Sequence, residues 1–179
     1  MILALYDRAQ GIETGPGNRA VYDVALGSAQ FGEASVEGRA LVWELHGAGR
    51  EDALLAAEVE LDETTEWLMR CDRVDFPPGV VAYRHTHPGP GIRCLLSGSM
   101  RIESGVEAHE FGPFEPWYES GPEPVRATAS PEEDTAFVRV MLLPREWEGK
   151  RTIRYVDPAD EEKPKLQRAT VFFDEPIDL

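Results

Sequence analysis

The sequence predicts an all-β fold, an antiparallel sandwich or barrel with additions at both ends. Three observations carry this. From Glu66 to Pro144 short apolar runs recur at regular spacing, each closed by Gly, Pro or Ser. Polarity alternates within the runs: Met100 and Ile102 oppose Arg101 and Glu103, so one face points inward and one outward. The chain has 179 residues and 42% hydrophobic content, enough for one domain with a sizeable core and no staples.

The elements follow in order. Residues 1–38 are mixed: Ala20–Leu26 reads as a strand, and the glycine-rich Gly11–Gly17 as a loop. Ala40–His46 is a strand, and Gly47–Asp52 a turn. Leu54–Leu61 is open between helix and strand: Ala, Leu and Glu favour helix, the short length between turns favours strand. Strands follow at Trp67–Phe76, Val80–His87, Ile92–Leu96, Met100–Glu103, Val106–Phe111, Glu115–Glu119, Val125–Ala129 and Thr135–Leu143. Beyond Pro144, Thr152–Val156 and Ala169–Phe173 read as edge strands, joined by a polar, proline-bearing linker at Asp157–Lys165. Val171, Phe172, Phe173 and Ile177 need cover, on the barrel or on a partner subunit, and strand exchange in a homodimer would supply it.

Charge narrows the partners. The formal net charge is −15, from 33 acids against 18 bases. That disfavours nucleic acid and anionic membranes, which need cationic patches. The acids are spread along the chain and read as a solvated surface. Two cysteines, Cys71 and Cys94, lie in no metal or redox spacing, which points to a reduced, cytoplasmic chain. The N-terminus lacks the basic region and apolar core of a secretory signal. No phosphate-binding loop, dinucleotide fingerprint or nucleophile elbow is present.

The most telling segment runs from Gly79 to Gly98. His85 and His87 lie two residues apart on an extended run, so their imidazoles share a face and offer half of a metal site. Glycine, five residues, His-x-His and a closing glycine resemble the first motif of the cupins. The resemblance covers roughly residues 66–143. It implies a jelly-roll barrel, a double-stranded β-helix, with extensions at 1–65 and 144–179. In the family two histidines and a glutamate of this motif, with a third histidine from a second motif, hold a divalent transition metal inside the barrel. Here Gly91 stands in place of the glutamate. In the second motif, Glu119-Ser120-Gly121 falls on Pro-x-Gly and Pro124 on the histidine.

Two of four expected ligands are therefore missing. Glu119 is the candidate to complete a two-His-one-carboxylate set with His85 and His87, suited to Fe, Mn, Ni or Zn. Arg93, two residues beyond Gly91, faces the same way as the missing acid. An arginine inside a barrel must pair with Glu119 or another carboxylate, hold an anionic ligand, or reach the rim. Tyr83 and Trp117 are in phase with this face and are candidate ligand-lining residues. Cys94 is out of phase and points away. Three readings stay open: a metal-dependent oxidoreductase or isomerase on a small organic substrate, a metal-free anion-binding module using Arg93, and a structural or oligomerisation barrel.

Overall fold

The computed structural model describes residues 1–47 and 51–179. Seven strands come first: β1 (Ile2–Arg8), β2 (Ile12–Thr14), β3 (Arg19–Asp23), β4 (Ser28–Phe31), β5 (Ala34–Val36), β6 (Ala40–His46) and β7 (Leu55–Glu58). Eight follow: β8 (Trp67–Phe76), β9 (Val81–Thr86), β10 (Gly91–Ser97), β11 (Met100–Ser104), β12 (Glu107–Phe111), β13 (Pro116–Glu119), β14 (Val125–Ala129) and β15 (Thr135–Pro144). Then come β16 (Arg154–Tyr155) and β17 (Arg168–Ile177).

The eight middle strands split evenly between two antiparallel sheets. One has the order β13-β10-β15-β8 and the other β12-β11-β14-β9. That interleaved order is the jelly roll. β17 extends the first sheet beyond β8, and β16 the second beyond β9. A third sheet, β4-β3-β6-β1-β7, lies over the outer face of the first. Among the described residues no helix is long and apolar enough to cross a membrane.

The layering explains the composition of β8, β10 and β15. Residues of these strands that point outward (Met69, Cys71, Ile92, Cys94, Val138, Val140, Leu142) meet Leu3, Leu5, Leu41 and Trp43 of the third sheet in one buried cluster. Strands buried on both faces are nearly continuous in apolar residues. Trp43 is fully buried, and its indole N–H donates to the Ile92 carbonyl at 3.0 Å, tying the outer layer to the barrel. Both cysteines lie in this cluster as free thiols. Burial pushes Cys94 up to about 12 and Cys71 well above its ordinary value, so neither is a nucleophile.

Several local readings change. Leu54–Leu61 resolves as strand, because Leu55–Glu58 pairs with β1. Part of the glycine-rich loop is strand: Ile12–Thr14 pairs with Ala34–Val36, a long-range pairing that local composition does not signal. The polar linker holds a 3-10 turn at Pro158–Glu162, started by the Asp157 carboxylate accepting from the Ala159 N–H. Residues 48–50 of the turn expected at Gly47–Asp52 lie outside the described residues. The aromatic pair of the tail finds cover within its own chain: Phe172 packs on Tyr22 and Phe173 on Phe31.

If the outer sheet is an integral layer, Trp43→Ala removes about 3–5 kcal/mol of stability in one cooperative urea transition. A split transition with the barrel unaffected would make the outer sheet a separate unit.

Candidate functional site

The inner face of the first sheet carries charge where a barrel is ordinarily apolar. Register puts Trp117, Arg93, Arg139, Asp72 and Val171 side by side in one row across β13, β10, β15, β8 and β17. All five line a cavity of about 580 Å³. The adjacent row reads Glu119, Gly91, Met141, Arg70, Asp174. The residue that replaces the motif's acid thus has a carboxylate directly across the strand pair.

Each interior guanidinium has one acid. Arg93 is only 1% exposed. Its Nη2 lies 2.7 Å from Glu119 Oε2, and its Nη1 donates to the Gly91 carbonyl at 2.7 Å. Arg139 Nε donates to Asp72 Oδ1 at 2.7 Å. Burial pushes Arg93 down to about 10, with Glu119 pulling it up and Arg139 adding repulsion. A side chain at Gly91 would press on the Val140 carbonyl and come within 3.0 Å of Arg93 Nη1. Glycine there gives the arginine room to fold back onto the strand. The motif's closing Gly98 has φ +73, and a Cβ there would meet Asp134 O at 2.8 Å, so the β10–β11 turn requires glycine.

The histidines come from the opposite sheet. Their rings stand edge to face, 4.9 Å apart. His85 Nδ1 is 2.7 Å from the Tyr83 carbonyl, an acceptor, so Nδ1 carries the proton and Nε2 is left as a bare acceptor. His87 Nε2 accepts from Arg139 Nη1 at 3.5 Å and lies 3.7 Å from Glu119 Oε2. His87 Nδ1 has no well-aligned partner, although the Thr152 backbone lies close enough to pull its titration upward. Burial lowers both imidazoles, with Arg139 and Arg93 lowering them further; His87 falls well below its ordinary value. Both are neutral at pH 7.

The residues singled out by sequence therefore part company. His85, His87, Arg93, Trp117 and Glu119 all line the cavity. Tyr83 does not. The pairing of β14 with β9 slips between Val125 and Ala127, so Ala82 and His85 both turn inward and the two residues between them bulge. That breaks the period-two phase, and the Tyr83 ring instead lies 4.6 Å from Lys163 Nζ. Glu119 meets the His pair, but it is already engaged: Oε1 accepts from the Trp117 indole at 2.9 Å and Oε2 faces Arg93. Among the described residues no three His, Cys, Asp or Glu side chains are grouped to hold a metal ion. With its third donor held by a guanidinium and a second arginine on His87, the set does not fit a divalent cation. His46 lies outside, 3.1 Å from the Tyr6 hydroxyl, and His109 is exposed on β12.

Sequence reasoning missed Arg70, Asp72, Arg139 and Asp174. The signal was there for Arg70, Asp72 and Arg139: charges within the largely apolar runs of β8 and β15 must find partners. The rest of the cavity is apolar at one end, with Phe76, Ala82, Ile102, Ala127 and Phe137, and basic at the other, where the C-terminal extension brings Lys150, Arg151 and Lys165.

No protein-family model matches the chain, and no curated protein matches it. Among solved structures it is similar to the polyketide cyclase RemF from Streptomyces resistomycificus, at 19% identity and a TM-score of 0.41, over 52% of this chain and 62% of that one. An RmlC-like cupin from Shewanella frigidimarina matches at 13% identity and 0.40, over 44% and 69%. The DMSP lyase DddQ from Ruegeria pomeroyi matches at 15% and 0.41, over 57% and 62%. These likenesses are of fold alone.

The neutral histidines give a pH signature. A folded state that holds His87 below its ordinary 6.5 refuses a proton that the unfolded chain accepts. Its contribution is fully present above that value and is lost as pH falls through the folded-state value. Urea midpoints from pH 7.5 to 5 should fall less steeply for His87→Gln than for the parent. Equal slopes would mean that His87 is not buried neutral.

Proposed function

We infer that this barrel, a cupin-type double-stranded β-helix by its strand order, binds a small organic anion. One observation carries the reading. In a chain of net charge −15, the residues lining this cavity include six basic ones and three acidic ones. Two of the bases, Arg93 and Arg139, are neighbours in one cross-strand row deep inside.

The chemistry follows from their state. A guanidinium has five donors in a planar fork, and one carboxylate does not use them all. Two cations side by side in a low-dielectric interior repel, and an anionic head group near both relieves that repulsion. Phe76, Ile102 and Phe137 offer an apolar wall for the hydrocarbon or aromatic body of the same molecule. The bare Nε2 of His85 adds a neutral acceptor, suited to a hydroxyl of the ligand or to taking a proton from it. A carboxylic acid with an apolar body matches all three features.

A metal centre at His85 and His87 is the second reading. It is favoured by one observation: both imidazoles are neutral and adjacent. It is opposed by the two arginines and by the commitment of Glu119 to Arg93.

Thermal unfolding separates the two. Benzoate, phenylacetate or hexanoate at a hundredfold excess over Kd should raise Tm by about 5–10 °C. The shift should vanish in the Arg93→Gln/Glu119→Gln double variant, which removes the cation together with its partner. Silence with every carboxylate, together with stabilisation by Mn, Fe, Ni or Zn that is lost in His85→Gln/His87→Gln, would overturn the anion reading in favour of the metal.

A further inference from the structure

The outer end of the cavity is made by the C-terminal extension, and its charge does not balance. Arg70 fixes that end in place. Its Nε and Nη2 each donate to Asp174 at 2.5 Å, and it also donates to the Lys150 carbonyl at 2.7 Å and the Trp147 carbonyl at 3.1 Å. Asp174 accepts in turn from the Gly149 N–H at 2.8 Å. Burial would push Asp174 up, but Arg70 and the Gly149 N–H outweigh it and hold the carboxyl below its ordinary value. One buried pair thus clamps the backbone that carries Lys150 and Arg151.

Those residues, with Lys165, line the cavity on the side away from Phe76 and Phe137. Arg151 and Lys165 share a single carboxylate, Glu161, at 3.4 Å and 3.8 Å. Lys150 has no ion pair among the described residues. Three cations, two of them on the clamped backbone, therefore face one half-exposed acid. A surface as acidic as this chain's holds many carboxylates that could neutralise them, and among the described residues the fold brings only Glu161.

We propose that Lys150, Arg151 and Lys165 form a second anion subsite, so that the ligand of this barrel carries two anionic groups. This rests on the reading of Arg93 and Arg139 as the inner anion site. The first group sits at those arginines and the second at the outer three. The second group is a carboxylate or a phosphoryl, which share the chemistry that basic side chains recognise.

Calorimetric titration of the full chain tests this with defined probes. Straight-chain α,ω-dicarboxylates from succinate to suberate are compared with monocarboxylates of equal length and with ω-phosphonocarboxylates. At one favoured length a doubly anionic probe should bind roughly tenfold more tightly than its singly anionic counterpart, as expected for a few partly exposed charge contacts. The better arm identifies carboxylate or phosphoryl. In Lys150→Gln/Arg151→Gln/Lys165→Gln, all near the surface, that advantage should disappear, so that the doubly anionic probe binds no more tightly than its singly anionic counterpart. Equal affinity for one and two charges in the parent, or an advantage that survives the triple change, would overturn the proposal and leave the inner site standing. Absence of binding by either series would remove the inner site and this inference with it.

Discussion

Two guanidiniums side by side inside a barrel set the terms for everything around them. Burying an isolated charge is very costly, and burying two like charges in adjacent positions more so. Arg93 and Arg139 are tolerated because Glu119 and Asp72 stand against them. Gly91 leaves the space in which Arg93 turns back to its own strand. The His pair is held toward neutrality first by burial, and the arginines add positive charge that disfavours imidazolium further. The carboxylate that could have ligated a metal is instead the counter-ion of an arginine.

The fold makes this arrangement stable by separating its two kinds of burial. The outward faces of β8, β10 and β15 are largely apolar, with Arg73 and Asp75 paired at one end of β8, and are covered by the N-terminal sheet through Trp43 and its neighbours. The inward faces of the same strands can then carry Arg70, Asp72, Arg93 and Arg139 without weakening the main core. The C-terminal extension completes the cavity. β16 and β17 add to the two barrel sheets, and the Arg70–Asp174 pair holds the segment that precedes β16, at Trp147 to Lys150, against the barrel.

Much of the barrel was legible in the sequence. Turn residues at regular spacing marked all eight of its strands, and the His-x-His segment with its glycines indicated the jelly roll. The N-terminal sheet was less legible. β1, β2, β4 and β5 are short or composed of residues with no clear period, and they are strands because of partners far along the chain. At the site, period two placed His85, His87 and Arg93 correctly and misplaced Tyr83, because a bulge in β9 shifts the phase and no residue in that segment announces it. The partnership of Glu119 with Arg93 was one of several pairings open to the sequence. Only the register of β10 against β13, which sets Gly91 opposite Glu119, selects it.

The polar band of this barrel, with Arg93 and Arg139 side by side, should hold an anion. Crystals soaked in 4-bromobenzoate test it most directly, since bromine scatters anomalously and fixes the orientation of the probe. The account predicts the carboxylate beside Arg93 and Arg139 and the bromine peak among Phe76, Ile102 and Phe137. An anomalous metal peak ligated by His85, His87 and Glu119, with Arg93 swung away from its carboxylate, would contradict it.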